Sequence, residues 1–184
     1  MRGREAWRPT REWIERANIT RLMRSLGHAV VPDDGPETER RVRAFVRATQ
    51  EDPESFWDAC VRDLGIPWIR PYERVLDLSR GNPWAEWFVG GETNIALACV
   101  ARHATGPRAG ARALTAETED GAVRTFTFSE VADRVHRVAG ALRSLGIGPG
   151  DTVACTLPMV AEVVFAMLGA MQVGANGGQM AGKQ

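Results

Sequence analysis

Thr127-Phe128-Ser129-Glu130 opens the most constrained segment of the chain. Threonine followed three residues later by glutamate is a capping box: hydroxyl and carboxylate each satisfy a backbone N–H that a first helical turn leaves unpaired. Phe126 and Val131 flank the box as a hydrophobic staple. Val131, Val135, Val138, Leu142 and Leu145 then recur at steps of four and three, the single buried stripe of an amphipathic helix, with Arg134, Arg137 and Arg143 off it. Gly146 takes the position just past the helix end, and Ile147 folds back on Leu142 in a Schellman stop. Residues 152–157 read as a strand and Pro158 as a turn. Residues 159–173 read as a helix that is apolar nearly all round, Glu162 and Gln172 excepted, and so buried on most sides. A strand followed by a buried helix predicts a second parallel strand. None is legible: Gly174 ends the helix, and NGGQMAGKQ, residues 176–184, is polar, glycine-rich and without a strand pattern.

The stretch SLGIGPGDTVACTLPM, residues 144–159, places glycine at 146, 148 and 150, and invites a phosphate-binding reading. A phosphate loop follows a strand and opens a helix, so that its N–H groups and the helix dipole point at the anion. Here the order is reversed. A GxGxxG match requires glycine at 151, where Asp151 stands, and a P-loop requires Gly-Lys-Ser/Thr. The glycines are accounted for as a helix stop and as the Pro149-Gly150 pair at the centre of a type II turn.

Upstream, residues 10–26 read as a helix in two pieces, with Thr10 and Thr20 as N-caps and Gly27 as the stop. Residues 30–36 are a loop. Residues 37–50 form a helix with Val42, Phe45, Val46 and Thr49 on one face. Asp52 caps the next helix and Pro53 fills its first position, with Phe56, Trp57, Cys60 and Leu64 as a buried stripe and Gly65 as the end. Residues 66–91, rich in proline, glycine and tryptophan, form an irregular packed segment. Its aromatic residues read as core rather than as a ligand platform. Residues 94–103 form a short helix, and two strands at 112–118 and 123–128 make a hairpin turned at Asp120-Gly121.

The bulk properties exclude several classes. The 184 residues carry a net charge of +0, which gives no general attraction to nucleic acid or to an anionic membrane. The apolar run 163–171 is far shorter than the roughly 18–20 residues of a membrane span, and no signal-peptide pattern opens the chain. Cys60, Cys99 and Cys155 form neither a CxxC nor a Cys/His cluster; they read as small core residues of a cytoplasmic protein. His28, His103 and His136 lack spaced partners for a triad or a metal, and no GxSxG elbow occurs. The only lysine is Lys183. No catalytic, cofactor-binding or metal-binding residue is assigned.

Taken in order, residues 52–57 (DPESFW), 66–75 (IPWIRPYERV), 87–103 (WFVGGETNIALACVARH), 124–131 (RTFTFSEV), 145–154 (LGIGPGDTVA) and 157–175 (LPMVAEVVFAMLGAMQVGA) resemble one family. It is the N-terminal part of AMP-forming acyl-CoA synthetases, in the acetyl-, propionyl- and acetoacetyl-CoA synthetase branch of the adenylate-forming superfamily. The resemblance runs from Trp7 to Ala175 and is weakest over 29–50. It implies an α/β fold: a helical N-terminal leader, a β-hairpin and the first helix–strand–helix part of an incomplete large domain. The domain division expected is a helical and irregular segment at 1–110, the start of the AMP-binding large domain at 111–175 and an atypical tail at 176–184.

Members of the family activate a carboxylic acid with ATP, assisted by magnesium, and pass the acyl group to coenzyme A. Residues 124–131 match its first core motif and 167–175 the start of its second, both mainly structural. Its phosphate loop ending in Pro-Lys, adenine-binding stretch, ribose-binding aspartate and catalytic lysine have no counterpart here, so ATP, Mg2+ and coenzyme A are expected for the intact family and not for this chain alone. Two explanations stay open: an N-terminal fragment, inactive alone, or a short paralogue that lost catalysis and kept a binding role, as an interaction module associating with a full-length synthetase. The change of pattern after Ala175 favours the fragment. A nucleotide-binding Rossmann module is disfavoured by the loop order.

Overall fold

Four helices come first among the described residues, and two of them start on a side-chain cap. In the computed structural model, which describes Trp7, residues 9–28, Val30 and residues 36–179 (backbone alone at 178 and 179), Thr10 Oγ1 accepts from Trp13 N and starts α1, Arg11–Arg16. The second piece, α2 (Asn18–Ser25), starts after Ala17 and not at Thr20. The Ala17 carbonyl receives both Thr20 N at 3.0 Å and Arg21 N at 3.2 Å, so the chain is already helical at Thr20, whose side chain is buried. Gly27 and His28 close α2 with bonds to Arg24 O and Met23 O. The loop expected at 30–36 lies mostly outside the described residues. Pro36 begins α3 (Pro36–Glu51), and Asp52 caps α4 (Pro53–Asp63) by accepting from Ser55 N at 3.0 Å.

The segment expected to be irregular contains short strands: β1 (Trp68–Arg70), β2 (Arg74–Asp77), β3 (Glu86–Val89) and β4 (Glu92–Thr93). β2 pairs antiparallel with β3, and β1 with β4. The chain divides into two compact units, Met1–Ile66 with Tyr72–Val89, and Pro67–Pro71 with Gly90–Gln184.

In the first unit Leu22, Met23, Phe45, Val75 and Leu76 are buried. The stripe expected along α4 is not: Trp57 is 44% and Leu64 59% exposed. The aromatic rings meet edge-on in a chain, Phe45–Phe56 at 6.0 Å, Phe56–Trp57 at 5.2 Å and Trp57–Trp87 at 6.1 Å, a geometry that satisfies ring quadrupoles while Trp57 and Trp87 stay exposed.

The second unit is better enclosed. Asn94 Oδ1 accepts from Ala96 N at 3.0 Å and starts a helix that widens to a π turn over Leu97–Ala101 before α5, Arg102–Ala104. The hairpin forms as expected from β5 (Arg112–Glu117) and β6 (Val123–Thr127), with Leu114 opposite Phe126. The capping box is present in full and starts α6 (Phe128–Ser144). Phe126 and Val131 are both buried, as a staple requires. Leu145 departs from its expected place and is 75% exposed: it is the C-cap residue, where the helical stripe has already ended.

After β7 (Thr152–Cys155), α7 (Ala161–Gln172) packs on α6, and the chain then forms the parallel strand that the sequence does not announce. β8 (Asn176–Gln179) pairs with β7 from Thr152↔Asn176 to Cys155↔Gln179. Strand formation here owes nothing to side-chain pattern. The ladder uses main-chain groups, which every residue other than proline supplies in full, and α7 covers one face, with Gly177 lying under Met167 and Ala170. Tertiary context overrides the low strand propensity of glycine and asparagine. The core joins Phe126, Val131, Val135, Ala161 and Phe165, with the two phenylalanine rings at 5.3 Å and 85°.

Candidate functional site

The glycine loop is the first place to look for chemistry, and its hydrogen bonds decide it. Gly146 N donates to Arg143 O and Ile147 N to Leu142 O, both at 3.0 Å, the two bonds of a Schellman stop. Asp151 N donates to Gly148 O at 3.2 Å across the turn, with Gly150 at φ +91°, the left-handed position of a type II turn. Gly148 N donates to Asp151 Oδ2 at 2.8 Å and Gly150 N to Gly174 O at 3.4 Å. The loop's amides are engaged, and the Asp151 carboxylate already sits where an anion would have to go. The loop is a corner, not a cradle.

The histidines occupy three separate settings. His28 meets Phe45 edge-on at 5.2 Å. His103 lies 5.0 Å from the Phe128 ring, and burial, followed by the charges of Arg108 and Arg102, holds it below the ordinary histidine value. His136 donates from Nδ1 to Ala132 O at 3.2 Å, which leaves Nε2 to accept from Gln172 Nε2 at 3.3 Å. None stands beside a serine or cysteine in a nucleophile–base pair among these contacts. Among the described residues no group of three His, Cys, Asp or Glu could hold a metal ion. The cysteines are not core residues: Cys99 is exposed and Cys60 and Cys155 are half-buried. Burial and the nearby Asp63 carboxylate push the Cys60 thiol up, away from the reactive thiolate.

A cavity of about 340 Å³ opens in the second unit between the π turn, α6 and the end of α7. Its polar lining is Asn94, His136, Arg143 and Gln172. Asn94 is spent on structure, since its Nδ2 donates to Met171 O at 2.8 Å while its Oδ1 caps the helix. Gln172 Oε1 is buried without a partner among the described residues. The cavity walls are otherwise apolar, with no acid or nucleophile to act on a substrate. Helical periodicity cannot find Asn94 and Gln172, because their partners lie 77 and 36 residues away.

The feature with most unused capacity is the β7–β8 sheet. Val153 faces the cluster of Ala139, Ala170, Val173 and Ala175. Thr152, Ala154 and Asn176, on the opposite face, are exposed. At the carboxyl end of β7, Met159 is 79% exposed. Arg124 Nη2 meets Glu162 Oε1 at 3.0 Å, tying the hairpin to the start of α7; the Glu162 backbone N–H and then Arg124 hold that carboxyl below the usual carboxylate value.

Comparison with known proteins places this arrangement. Residues 42–99 match the acetyl-coenzyme A synthetase N-terminus family and residues 100–176 the AMP-binding enzyme family. The chain belongs to the AMP-forming acyl-CoA synthetases. It is 39% identical over 139 residues to the acetyl-coenzyme A synthetase of Deinococcus radiodurans, covering 76% of this chain and 20% of that protein. It is 35% identical over 131 residues to the 3-hydroxypropionyl-coenzyme A synthetase of Metallosphaera sedula, covering 71% of this chain and 19% of the relative. The acetoacetyl-CoA synthetase from Streptomyces lividans superposes with a TM-score of 0.78 at 29% identity, over 97% of this chain and 27% of that one. The chain thus spans about a fifth of the curated synthetases it matches and corresponds to their N-terminal part. In this synthetase segment the capped helix α6, the corner and the β7–α7–β8 unit all lie within the AMP-binding match, apart from the last three residues of β8. No helix among the described residues is long and apolar enough to cross a membrane.

Proposed function

We propose that this chain supplies the N-terminal structural section of a synthetase that activates a short-chain carboxylic acid with ATP and magnesium and transfers it to coenzyme A, and that the 184 residues catalyse nothing by themselves. The observation that carries this reading is the pairing of two adjoining family matches over 42–176 with a glycine loop whose amides are all committed to the fold. The residues described do not fit a nucleotide phosphate or its magnesium ion. In this reading ATP, Mg2+ and coenzyme A therefore belong to the intact enzyme. The half-buried and exposed free thiols suit a reducing, cytoplasmic setting.

ATP–pyrophosphate exchange with acetate, propionate or acetoacetate tests the proposal. Purified chain is expected to give background exchange; robust exchange with any of the three acids overturns it. A second reading, a non-catalytic module that associates with a full-length synthetase, draws on the exposed face of the β7–β8 sheet. Co-purification with an intact synthetase separates the two.

A further inference from the structure

Between α5 and the hairpin the chain gathers positive charge around one aromatic ring. Residues 102–112 include Arg102, His103, Arg108 and Arg112 and no acid. The loop that carries Arg108 is fixed by its own main chain. Ala109 N donates to Gly106 O at 3.1 Å, which sets Pro107 and Arg108 at the two central positions of a turn, and Ala111 N donates to Arg108 O at 2.9 Å. Phe128 N and Ser129 N bolt the loop to the start of α6 through Ala111 O and Ala109 O, both at 3.1 Å. So placed, the Arg108 guanidinium lies 5.3 Å from the centre of the Phe128 ring, and the His103 ring lies 5.0 Å from it. The charges that act on His103 are those of Arg108 and Arg102, both positive. The π turn, which packs on α5, carries no charged residue. On the first two turns of α6 each charged side chain is engaged elsewhere: Glu130 in the capping box, Asp133 with Arg137 at 2.8 Å, and Arg134 over the rings of Phe126 and Phe165.

Like charges held together by the fold repel, and an anion set between them removes that cost. A guanidinium resting on a ring keeps its N–H edge for a carboxylate. Arg108 is exposed and makes no ion pair among the described residues. The main-chain donors that a phosphate site draws from a helix start are spent here, Thr127 N and Glu130 N on the capping box, Phe128 N and Ser129 N on the loop. Recognition therefore falls to side chains, and the planar fork of arginine matches a carboxylate. Two guanidinium groups bearing on one imidazole call for two such groups in the ligand. We propose that Arg102, His103 and Arg108, arranged about Phe128, bind a small aliphatic dicarboxylate. The site stands apart from the synthetase assignment, and all four residues belong to the second unit.

Succinate is the probe, added to the full 184-residue chain, with acetate, inorganic phosphate and sodium chloride compared at equal ionic strength. The readout is the imidazole titration of His103 by NMR, its resonance assigned by its absence from His103→Gln. A bound carboxylate favours the charged imidazolium, so succinate is expected to move the His103 midpoint upward, further than acetate or chloride does, and to leave His28 and His136 where they are. Arg108→Gln removes one of the two cations. Its His103 midpoint is expected to rise without any ligand, and its affinity for succinate, read from the same shifts, to fall about tenfold or more. Arg108→Lys, which keeps the charge and loses the fork, is expected to fall between the two. Arg108 is exposed in a turn, so far-UV circular dichroism of both variants should match the parent. The comparison of salts on the parent chain stands whether or not the variants fold. Equal movement of His103 in succinate and in sodium chloride overturns the proposal and assigns the effect to screening. So does a succinate response undiminished in Arg108→Gln, or a response to phosphate larger than that to succinate, which gives the site to phosphate.

Discussion

The two units of this chain are built on different physical terms. The first holds few fully buried side chains, a run of aromatic rings meeting edge to edge, and helices whose outer faces are laced by close ion pairs such as Arg41–Glu37 at 2.7 Å and Arg43–Glu39 at 2.6 Å. The second encloses Val131, Val135, Ala139, Phe165 and Ala170 almost completely between two packed helices and a hairpin. Exposed ion pairs on one helix contribute little to stability, whereas each fully buried aliphatic side chain contributes about 1.5–3 kcal/mol. The contrast teaches that the second unit holds its shape by close packing and the first by adaptable contacts. Large-to-small changes should therefore cost more in the second.

Phe165→Ala is the sharpest way to break that contrast. The ring is 4% exposed and meets Phe126 nearly perpendicularly. Its removal opens a cavity between packed helices, and the expected loss is about 3–5 kcal/mol. Phe45→Ala in the first unit removes a ring of the same size at 6% exposure. Val42 and Val46 beside it remain partly in water and can relax into the gap, so the loss should sit near the lower end, about 3 kcal/mol. Urea unfolding followed by far-UV circular dichroism measures both. Trp7, Trp13, Trp57, Trp84 and Trp87 belong to the first unit and Trp68 to the second, so tryptophan fluorescence follows mainly the first unit. Equal losses at the two positions would refute the difference in packing.

Gly169→Ala sharpens the point at the α6–α7 contact. In an open helix this change is favourable by roughly 0.5–1 kcal/mol. Here a Cβ would lie 2.5 Å from Val138 Cγ1, 2.7 Å from Val138 Cβ and 3.3 Å from Ala139 N. The last two are anchored to the backbone of α6 and cannot swing aside. Overpacking of this kind costs about 1–3 kcal/mol, so the clash outweighs the propensity gain and the midpoint should fall. A rise in the urea midpoint would show that the two helices are free to part.

Local chemistry was legible and long-range placement was not. The box at Thr127–Glu130, the Asp52 cap, the Gly146 stop and the Pro149-Gly150 turn are each decided within a few residues, and each stands where the sequence puts it. Trp57 and Leu64 show the limit: an apolar stripe says which face would be buried, not whether enough partner surface exists to bury it. Cys99 fails for the same reason, being apolar in its neighbours yet exposed on a helix. β8 was invisible because its ladder is made by backbone atoms and its cover by α7. At the candidate site, the refusal of the phosphate reading was legible from element order, but the reason fixed by the structure, amides already committed, needed coordinates.

The two helix caps offer a matched pair of smaller size, one in each unit. Thr127→Ala removes the hydroxyl that accepts from Glu130 N and donates to Glu130 Oε2 at 3.0 Å, and leaves only the backbone bond from the residue 127 N–H to Glu130 Oε2 at 2.8 Å. Asp52→Ala removes the single bond from Ser55 N. Each should cost about 1 kcal/mol. Thr127→Ala should be the larger, because Glu130 loses the hydroxyl donor to its carboxylate as well. Thermal midpoints of the two variants check the order, and a larger drop for Asp52→Ala would contradict it.

The smallest effect expected is in acid. In the first unit Arg21 donates to both oxygens of Asp63, from Nε at 2.8 Å and Nη2 at 2.7 Å, joining α2 to α4. That hydrogen bonding, and the guanidinium charge, hold the Asp63 carboxyl below its ordinary value of 3.8. A carboxylate whose value is lowered on folding adds stability that is fully present above the unfolded value and is lost as pH falls through the folded one. In the second unit Glu162, held below its ordinary 4.5, behaves with the same sign. Protonating either carboxyl removes its contribution on the acid side, and above neutrality that contribution is present in full and no longer varies with pH. Asp63→Asn should therefore flatten the acid limb of the stability profile read by tryptophan fluorescence, and Glu162→Gln the limb read by circular dichroism, starting at slightly higher pH. A profile for Asp63→Asn that runs parallel to the parent below pH 4 would mean that the bidentate pair between α2 and α4 is not maintained in solution.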